Sequence, residues 1–267
     1  MELDVIRNRD LHGRHALVCG ASAGLGRATA LALAERGATL TLLARRNSEL
    51  QAMRPVLKNA GAGETHVLVA DLDDRKDLRA KVSAHLEKTG PIHILINNTG
   101  GPPAGQLLEA QEDVILKHYG RSQLAPHLLV QLLVPGMKEA GYGRILNVLS
   151  SSVREPIPGL GIGNTIRASM ASWAKTLSRE LPPGITINNI LPGYIDTERL
   201  AEVALGVAKA KGLGAAAVRQ GWIDNTPEGR IGRPEEVGKV IAFLASPNAS
   251  FIRGATIPVD GGRLWSI

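Results

Sequence analysis

The chain has 267 residues with 31 lysines and arginines against 25 acids, a net charge of +6 that suits phosphate-bearing ligands, and its size allows one large or two small domains. A single cysteine, Cys19, excludes an internal disulfide and fits a reducing, cytoplasmic setting, where it reads as a small core residue rather than a nucleophile. Scattered basic residues and only 3% aromatics argue against nucleic-acid binding, no apolar run is long enough to span a membrane, and residues 1–14 lack the apolar core of a secretory signal.

The first apolar run, Ala16-Leu17-Val18, reads as a strand, and Arg27–Arg36 has a helical pattern. Between them lies Cys19-Gly20-Ala21-Ser22-Ala23-Gly24-Leu25-Gly26. Gly20 allows a tight turn out of the strand, Gly24 lets the backbone approach a pyrophosphate, and Gly26 lets the helix pack close to the sheet. The helix N-terminus then offers N–H groups and partial positive charge to phosphate, with Ser22, Ala23 and Leu25 in the same turn. A purely structural glycine turn is the alternative.

The alternation continues with strands at Thr39–Ala44, His66–Ala70, Ile92–Asn97, Arg144–Leu149, Thr186–Leu191 and Thr256–Val259. Helices are expected at Ser48–Ala60, Arg75–Lys88, Ala110–Glu139 (bending at Gly120 or Pro126), Ile166–Glu180 and Pro234–Leu244. Short apolar strands alternating with helices imply a single-domain, doubly wound α/β fold with a mostly parallel sheet and helices on both faces. The stretch from Thr197 to Arg233, residues 197–233, is rich in Ala and Gly and has no strand pattern. Short helices at Ala201–Ala210 and Ala215–Gln220 would make it either a lid or a surface excursion.

Taken together, the segments resemble the short-chain dehydrogenase/reductases over nearly the whole length. The resemblance rests on the glycine turn, Asp71-Leu72, Asn97-Asn98-Thr99-Gly100, Gly143 to Ser150, Pro192-Gly193-Tyr194-Ile195-Asp196-Thr197, Arg233-Pro234-Glu235-Glu236-Val237 and Val259-Asp260-Gly261-Gly262. It is most similar to the β-ketoacyl-carrier-protein-reductase-like branch, in a divergent subgroup that lacks the usual catalytic set. It implies a Rossmann-type nucleotide fold in which Asp71 accepts from the adenine amino group beside Leu72. Asn97 and Gly100 would shape the cleft, Thr197 would reach the carboxamide or phosphates, and Pro192, Gly193 and Ile195 would form the adjoining loop. It further implies a homo-oligomer, tetramer or dimer, with apolar residues such as Leu128, Leu129, Leu132, Met170 and Trp173 supplying a second helix face. The place where an NAD enzyme of this kind carries an acid for the ribose 2′-hydroxyl holds Ala44, followed by Arg45-Arg46. A guanidinium there pairs with a 2′-phosphate, so NADP is expected over NAD, unless Arg45 and Arg46 are only a solvated helix start.

The catalytic pattern of the family fails at three of four positions. Thirteen residues after Ser150, where the tyrosine falls, stands Gly163, and four further on the lysine is replaced by Arg167. The asparagine position, counted back from Pro135-Gly136-Met137, is Ser122. Gly163 donates no proton, and Arg167 stays cationic, suited to ribose hydroxyls but too basic for an acid. The remaining candidates are Asn164, Tyr194 and Arg154, with His118 more remote, and each also reads as packing or loop charge. No histidine pairs with Cys or carboxylates at metal-ligand spacing, so no metal is expected, and no hydrolase elbow surrounds Ser150. Two readings stay open: an NADP(H)-dependent oxidoreductase of a carbonyl, alcohol or acyl substrate with an altered proton route, or a catalytically silent dinucleotide-binding sensor or scaffold.

Overall fold

The alternating pattern folds, in a computed structural model that describes residues 9–267, into one parallel sheet covered on both faces by helices. Residues 1–8, part of the stretch expected not to be a secretory signal, lie outside the described residues. The strands are β1 His15–Cys19, β2 Thr39–Ala44, β3 Thr65–Val69, β4 Ile94–Asn97, β5 Gly143–Val148, β6 Ile185–Pro192 and β7 Thr256–Val259. They lie in the order β3-β2-β1-β4-β5-β6-β7. Chain direction across the sheet reverses between β1 and β4, and a crevice opens there at the carboxyl ends.

Period two on each strand splits the core. Val18, Leu40, Leu42, Ile96 and Leu146 face one helical layer, where α1 (Gly24–Glu35), α2 (Asn47–Ala60) and α9 (Pro234–Leu244) bury Leu33, Leu57 and Ile241. Leu17, Leu43, Leu95 and Ile145 face the other, where α3 (Arg75–Thr89), α5 (Ala125–Glu139) and α6 (Gly161–Glu180) bury Leu78, Leu129 and Ala174. Leu128, Leu129 and Met170 are therefore spent on the core of a single chain. Apolar surface is instead exposed on and beside α4 (Glu112–Tyr119), at Leu116, Tyr119 and Leu124.

Most boundaries shift by one to three residues, and three regions differ more from the expected reading. The long fourth helical region is α4, a π-helical segment at Gly120–Leu124, and then α5. The π-helical segment begins at Gly120, where a Cβ would lie 2.7 Å from Arg75 Nη1. α6 starts five residues earlier than Ile166, because Gly161 and Gly163 interrupt the apolar period without interrupting the helix. The Ala/Gly-rich stretch holds two helices, α7 (Glu198–Lys211) and α8 (Ala215–Asp224), which share a small core of Ala204, Ala208 and Val218.

Spacing gave no hint of a histidine cluster on the α3 face of the sheet. The Thr41 hydroxyl bridges His15 Nε2 and His85 Nε2, at 2.7 Å each, and His66 packs 5.5 Å from both rings. His93 Nδ1 accepts from the His15 backbone N–H at 3.1 Å. Among the described residues no such group has metal-holding geometry, and no helix is long and apolar enough to cross a membrane. Burial, then the charges His66, His85 and His93 would carry, push His15 down to about 3. His85 and His93 are lowered too, chiefly by burial.

Below its ordinary pKa of 6.5 the unfolded chain protonates His15 while the folded chain does not, so stability is full above that pH and falls on acidification toward pH 3. The loss from this group alone should be on the order of 3 kcal/mol by pH 4. Urea unfolding at pH 7, 5.5 and 4 should show that trend, and it should be shallower in His15→Gln, which keeps a hydrogen-bonding group for Thr41.

Candidate functional site

The crevice is a cleft of about 690 Å³ running from the end of β2 to the end of β5. Its near wall is the glycine turn. Gly20 sits at φ +63°, and a Cβ there would lie 2.7 Å from Asn98 Nδ2. Asn98 in turn donates to the Cys19 carbonyl at 3.2 Å, tying the ends of β1 and β4 together. A Cβ on Gly26 would lie 2.1 Å from the Gly20 carbonyl oxygen, so Gly26 stands behind the turn and sets how closely α1 approaches. Gly24 and Leu25 open α1, with Ala23 as an N-cap whose side chain makes no hydrogen bond and no acid in the first turn. Ser22, Ala23, Gly24 and Leu25 all line the cleft. The first amides of α1 thus face the cleft without a side-chain partner, the arrangement that receives a pyrophosphate.

The β2 end carries the charge pattern read from the sequence. Ala44 lines the wall with Arg45 and Arg46 beside it. Arg46 Nη2 donates to Ser22 Oγ at 3.3 Å, and Arg45 lies 3.8 Å from Asp71 Oδ2. Asp71 and Leu72 line the same end, and Asp71 Oδ1 also accepts from the Asp73 N–H at 3.0 Å. Arg121, which spacing did not single out, reaches the cleft as the bidentate partner of Asp73, and this pairing holds the Asp73 carboxyl below its usual range. Small, cationic and lacking a free acid at Ala44, this end fits a phosphorylated adenosine ribose.

Asn97 does not line the main cleft. It is buried in a row of amides that crosses four strands in register: Asn97 Nδ2 donates to Asn147 Oδ1 at 2.8 Å, Asn147 to Asn189 at 2.9 Å, and Asn189 to Thr256 Oγ1 at 3.1 Å. Gly100 lines the cleft above it. Pro192, Gly193 and Ile195 stay outside the lining: Pro192 ends β6, Gly193 donates to Val259 at 3.0 Å, and Ile195 is buried. The Thr197 hydroxyl accepts from the Leu200 N–H at 3.2 Å and donates to the Ile195 carbonyl at 3.3 Å. Its oxygen caps α7 and its proton goes to the Ile195 carbonyl, while Thr197 itself lines the cleft beside the glycine turn.

The far end gathers Ser150, Gly163, Asn164 and Arg167. Ser150 Oγ accepts from the Ser152 N–H at 3.1 Å, leaving its own proton free to donate. Arg167 Nη1 donates to the Leu149 carbonyl at 2.7 Å; burial and then the charge of Arg199 lower its pKa to about 10, still cationic at neutral pH. Asn164 reaches the cleft, but its amide donates to the Ile157 carbonyl at 2.9 Å and accepts from the Ile157 N–H at 3.3 Å. These two bonds clamp the loop at Ile157 to α6, with Asn164 still at the cleft wall. Ser122 Oγ lies 3.2 Å from Thr99 Oγ1 in the π-helical segment.

Tyr194 is not brought to the cleft. Its ring stacks on Trp222 at 4.9 Å, with the Arg263 guanidinium 4.8 Å from its centroid, so packing accounts for it. Arg154 turns away as well and donates to the Thr256 carbonyl at 3.2 Å. His118 is buried on α4 away from the lining, its pKa lowered by burial. Sequence reasoning missed Arg199, which enters the cleft from the first turn of α7; a cation two residues past Thr197 was the available signal.

A family model described as enoyl-(acyl carrier protein) reductase matches residues 20–263. The chain is 31% identical over 259 residues to a 3-oxoacyl-[acyl-carrier-protein] reductase FabG of Pseudomonas aeruginosa, covering 96% of this chain and 99% of that protein. It is also 31% identical over 280 residues to a cyclohexanol dehydrogenase of a Rhodococcus species, covering 97% and 99%. Among solved structures it superposes with a TM-score of 0.90 and 28% identity on L-sorbose reductase from Gluconobacter frateurii complexed with NADPH and L-sorbose, over 97% of this chain and 100% of that one. YwfH, an NADPH dependent reductase involved in bacilysin biosynthesis, gives 0.89 and 29%, over 95% and 99%.

The Gly26 contact generates a direct test. Gly26→Ala forces α1 off the sheet or distorts the turn, and overpacking of this kind costs about 1–3 kcal/mol. Thermal unfolding should show a lowered Tm, together with weakened dinucleotide binding by titration; unchanged binding would mean that the turn does not set the cleft.

Proposed function

Because this chain belongs to the short-chain dehydrogenase/reductase family, we propose that it is an NADP(H)-dependent oxidoreductase acting on a carbonyl or alcohol, with an active site that has lost its acid. One observation carries the reading: a single cleft joins the uncapped end of α1 and the arginines after β2 to Ser150 and Arg167. When bound, the cofactor supplies a hydride to the carbonyl carbon. The chain's own part is positional and electrostatic. Ser150 donates to the carbonyl oxygen, and the Arg167 cation stabilises the oxyanion that develops there. With Gly163 offering no side chain, the proton for that oxygen comes from water in the cleft. α7 brings Glu198, Arg199, Glu202 and Val203 to the rim, which supports residues 197–233 as a lid. We further propose a cytoplasmic homo-oligomer, supported by the exposed Leu116, Tyr119 and Leu124. The absent acid keeps a second reading in play, a dinucleotide-binding protein without turnover.

The arginines beside Ala44 should make NADPH bind more tightly than NADH, by roughly 1.5–3 kcal/mol or ten- to a hundredfold. Calorimetric titration of both cofactors checks this, and Arg45→Ala with Arg46→Ala should narrow the gap. Equal affinities in the unaltered protein would remove the NADP assignment.

General acid catalysis contributes about 10²–10⁴-fold, and turnover of carbonyl substrates should be slow by that order. Gly163 is helical, and a Cβ there meets only Pro102, at 3.5 Å, so the backbone accepts a Cβ. The double variant Gly163→Tyr, Arg167→Lys should raise NADPH oxidation with β-ketoacyl thioesters and quinones, and Gly163→Tyr alone should raise it less. Unaltered protein turning over at about 10 s⁻¹ would show that another group supplies the proton. Binding of NADPH without turnover in any variant would favour the silent-protein reading.

A further inference from the structure

Two guanidinium groups meet at the far end of the cleft. A Cβ placed on Gly101 would lie 3.1 Å from Arg167 Nη2 and 3.9 Å from Arg199 Nη2. Arg199 enters from α7 and is fixed by Nη2 donating to the Pro102 carbonyl at 2.8 Å. Arg167 enters from α6 and is fixed by its bond to Leu149. Only Arg199 has a carboxylate partner, Glu202 at 3.1 Å on the exposed side. Arg167 has no carboxylate within ion-pairing distance among the described residues, and its nearest charged influence is another cation.

Like charges held together are costly where one of them, here Arg167, is partly buried without a carboxylate of its own. Both heads are pinned by backbone carbonyls, so neither swings away to relieve the repulsion. Gly101, lacking a side chain, leaves the space in front of both heads open to the cleft. The arginines after β2 lie at the other end of the cleft and the α1 amides already suit a pyrophosphate, so Arg199 is left without a ligand and Arg167 with the carbonyl oxygen alone. Ser150, whose free proton suits a carbonyl oxygen, lines the same end.

We propose that Arg167 and Arg199 form a clamp for a carboxylate, and that the substrate is an oxo acid whose charged group is held there while its carbonyl faces Ser150. A planar carboxylate matches the fork of a guanidinium, and two forks from different helices fix both its position and its orientation. This inference rests on the oxidoreductase reading and narrows its substrate class. It also gives the lid a role, because α7 carries Arg199 to the site and binding of the acid joins α7 to α6.

The test is equilibrium binding to the protein saturated with NADP⁺, using a panel of 2- and 3-oxo acids, their methyl esters and inorganic phosphate, read by calorimetry. At least one oxo acid should bind tenfold or more tightly than its ester. Arg199→Gln should erase most of that difference, Arg199→Lys should keep part of it, and Glu202→Gln, which frees Arg199, should enlarge it. Affinity for NADPH, measured separately, should change less than twofold in the Arg199 variants. Esters binding as well as acids across the panel, phosphate competing as strongly as the best acid, or Arg199→Gln weakening NADPH as much as the acid would each overturn the clamp. NADPH failing to bind the unaltered protein would instead overturn the oxidoreductase reading on which it rests.

Discussion

The close approach of Gly26 to the Gly20 carbonyl is the constraint on which the rest of the molecule depends. With no side chain between them, α1 lies against the sheet and directs its unpaired amides into the crevice. The same closeness propagates outward. α9 packs on α1 through Gly238, where a Cβ would lie 2.7 Å from the Ala28 carbonyl oxygen. Alanines along α1 keep that layer thin, and Leu33 and Ile241 close it. Asn98 completes the lock from the β4 side by holding the Cys19 carbonyl. Loosening this one contact would therefore disturb the sheet, two helices and the phosphate end of the cleft together.

Much of this was legible in the sequence because it is local. β2 and β7 fall on their expected boundaries, since their apolar runs end where turns begin, and α9 does so because Pro234 marks its start. The glycine turn, Ala44 with its arginines, Ser150 and Arg167 come to one cleft as their spacing implied. What was not legible is what depends on side-chain direction. Tyr194 and Arg154 lie beside site residues in the chain yet turn to Trp222 and Thr256. Asn164 is in place but its amide is occupied by a loop. Arg199 and the histidine cluster unite residues far apart in the chain, and no periodicity reports that.

The two ends of the cleft use their polar groups differently. At the adenosine end the arginines are exposed, and Arg45 shares Asp71 only at 3.8 Å, so water screens them and a ligand gains modestly from each. At the far end Arg167 is partly buried, and desolvation lowers its pKa, so its charge is screened less than theirs. With no side chain at Gly163 and a partly buried cation at Arg167, this end of the cleft favours a negative charge placed there.

The row of amides from Asn97 through Asn147 and Asn189 to Thr256 bears on how this sequence is able to vary. Each amide donates to the next, so turning Asn147 end for end would set its oxygen against the Asn189 oxygen and its N–H groups against those of Asn97. Replacing a single member by an apolar residue strands its neighbours in the core, whereas replacing the whole row leaves nothing unpaired. Selection would then treat three distant asparagines as one inherited character. Viable descendants keep all of them or exchange them together, and a chimera joined between β4 and β5 would inherit half of a row that works only entire.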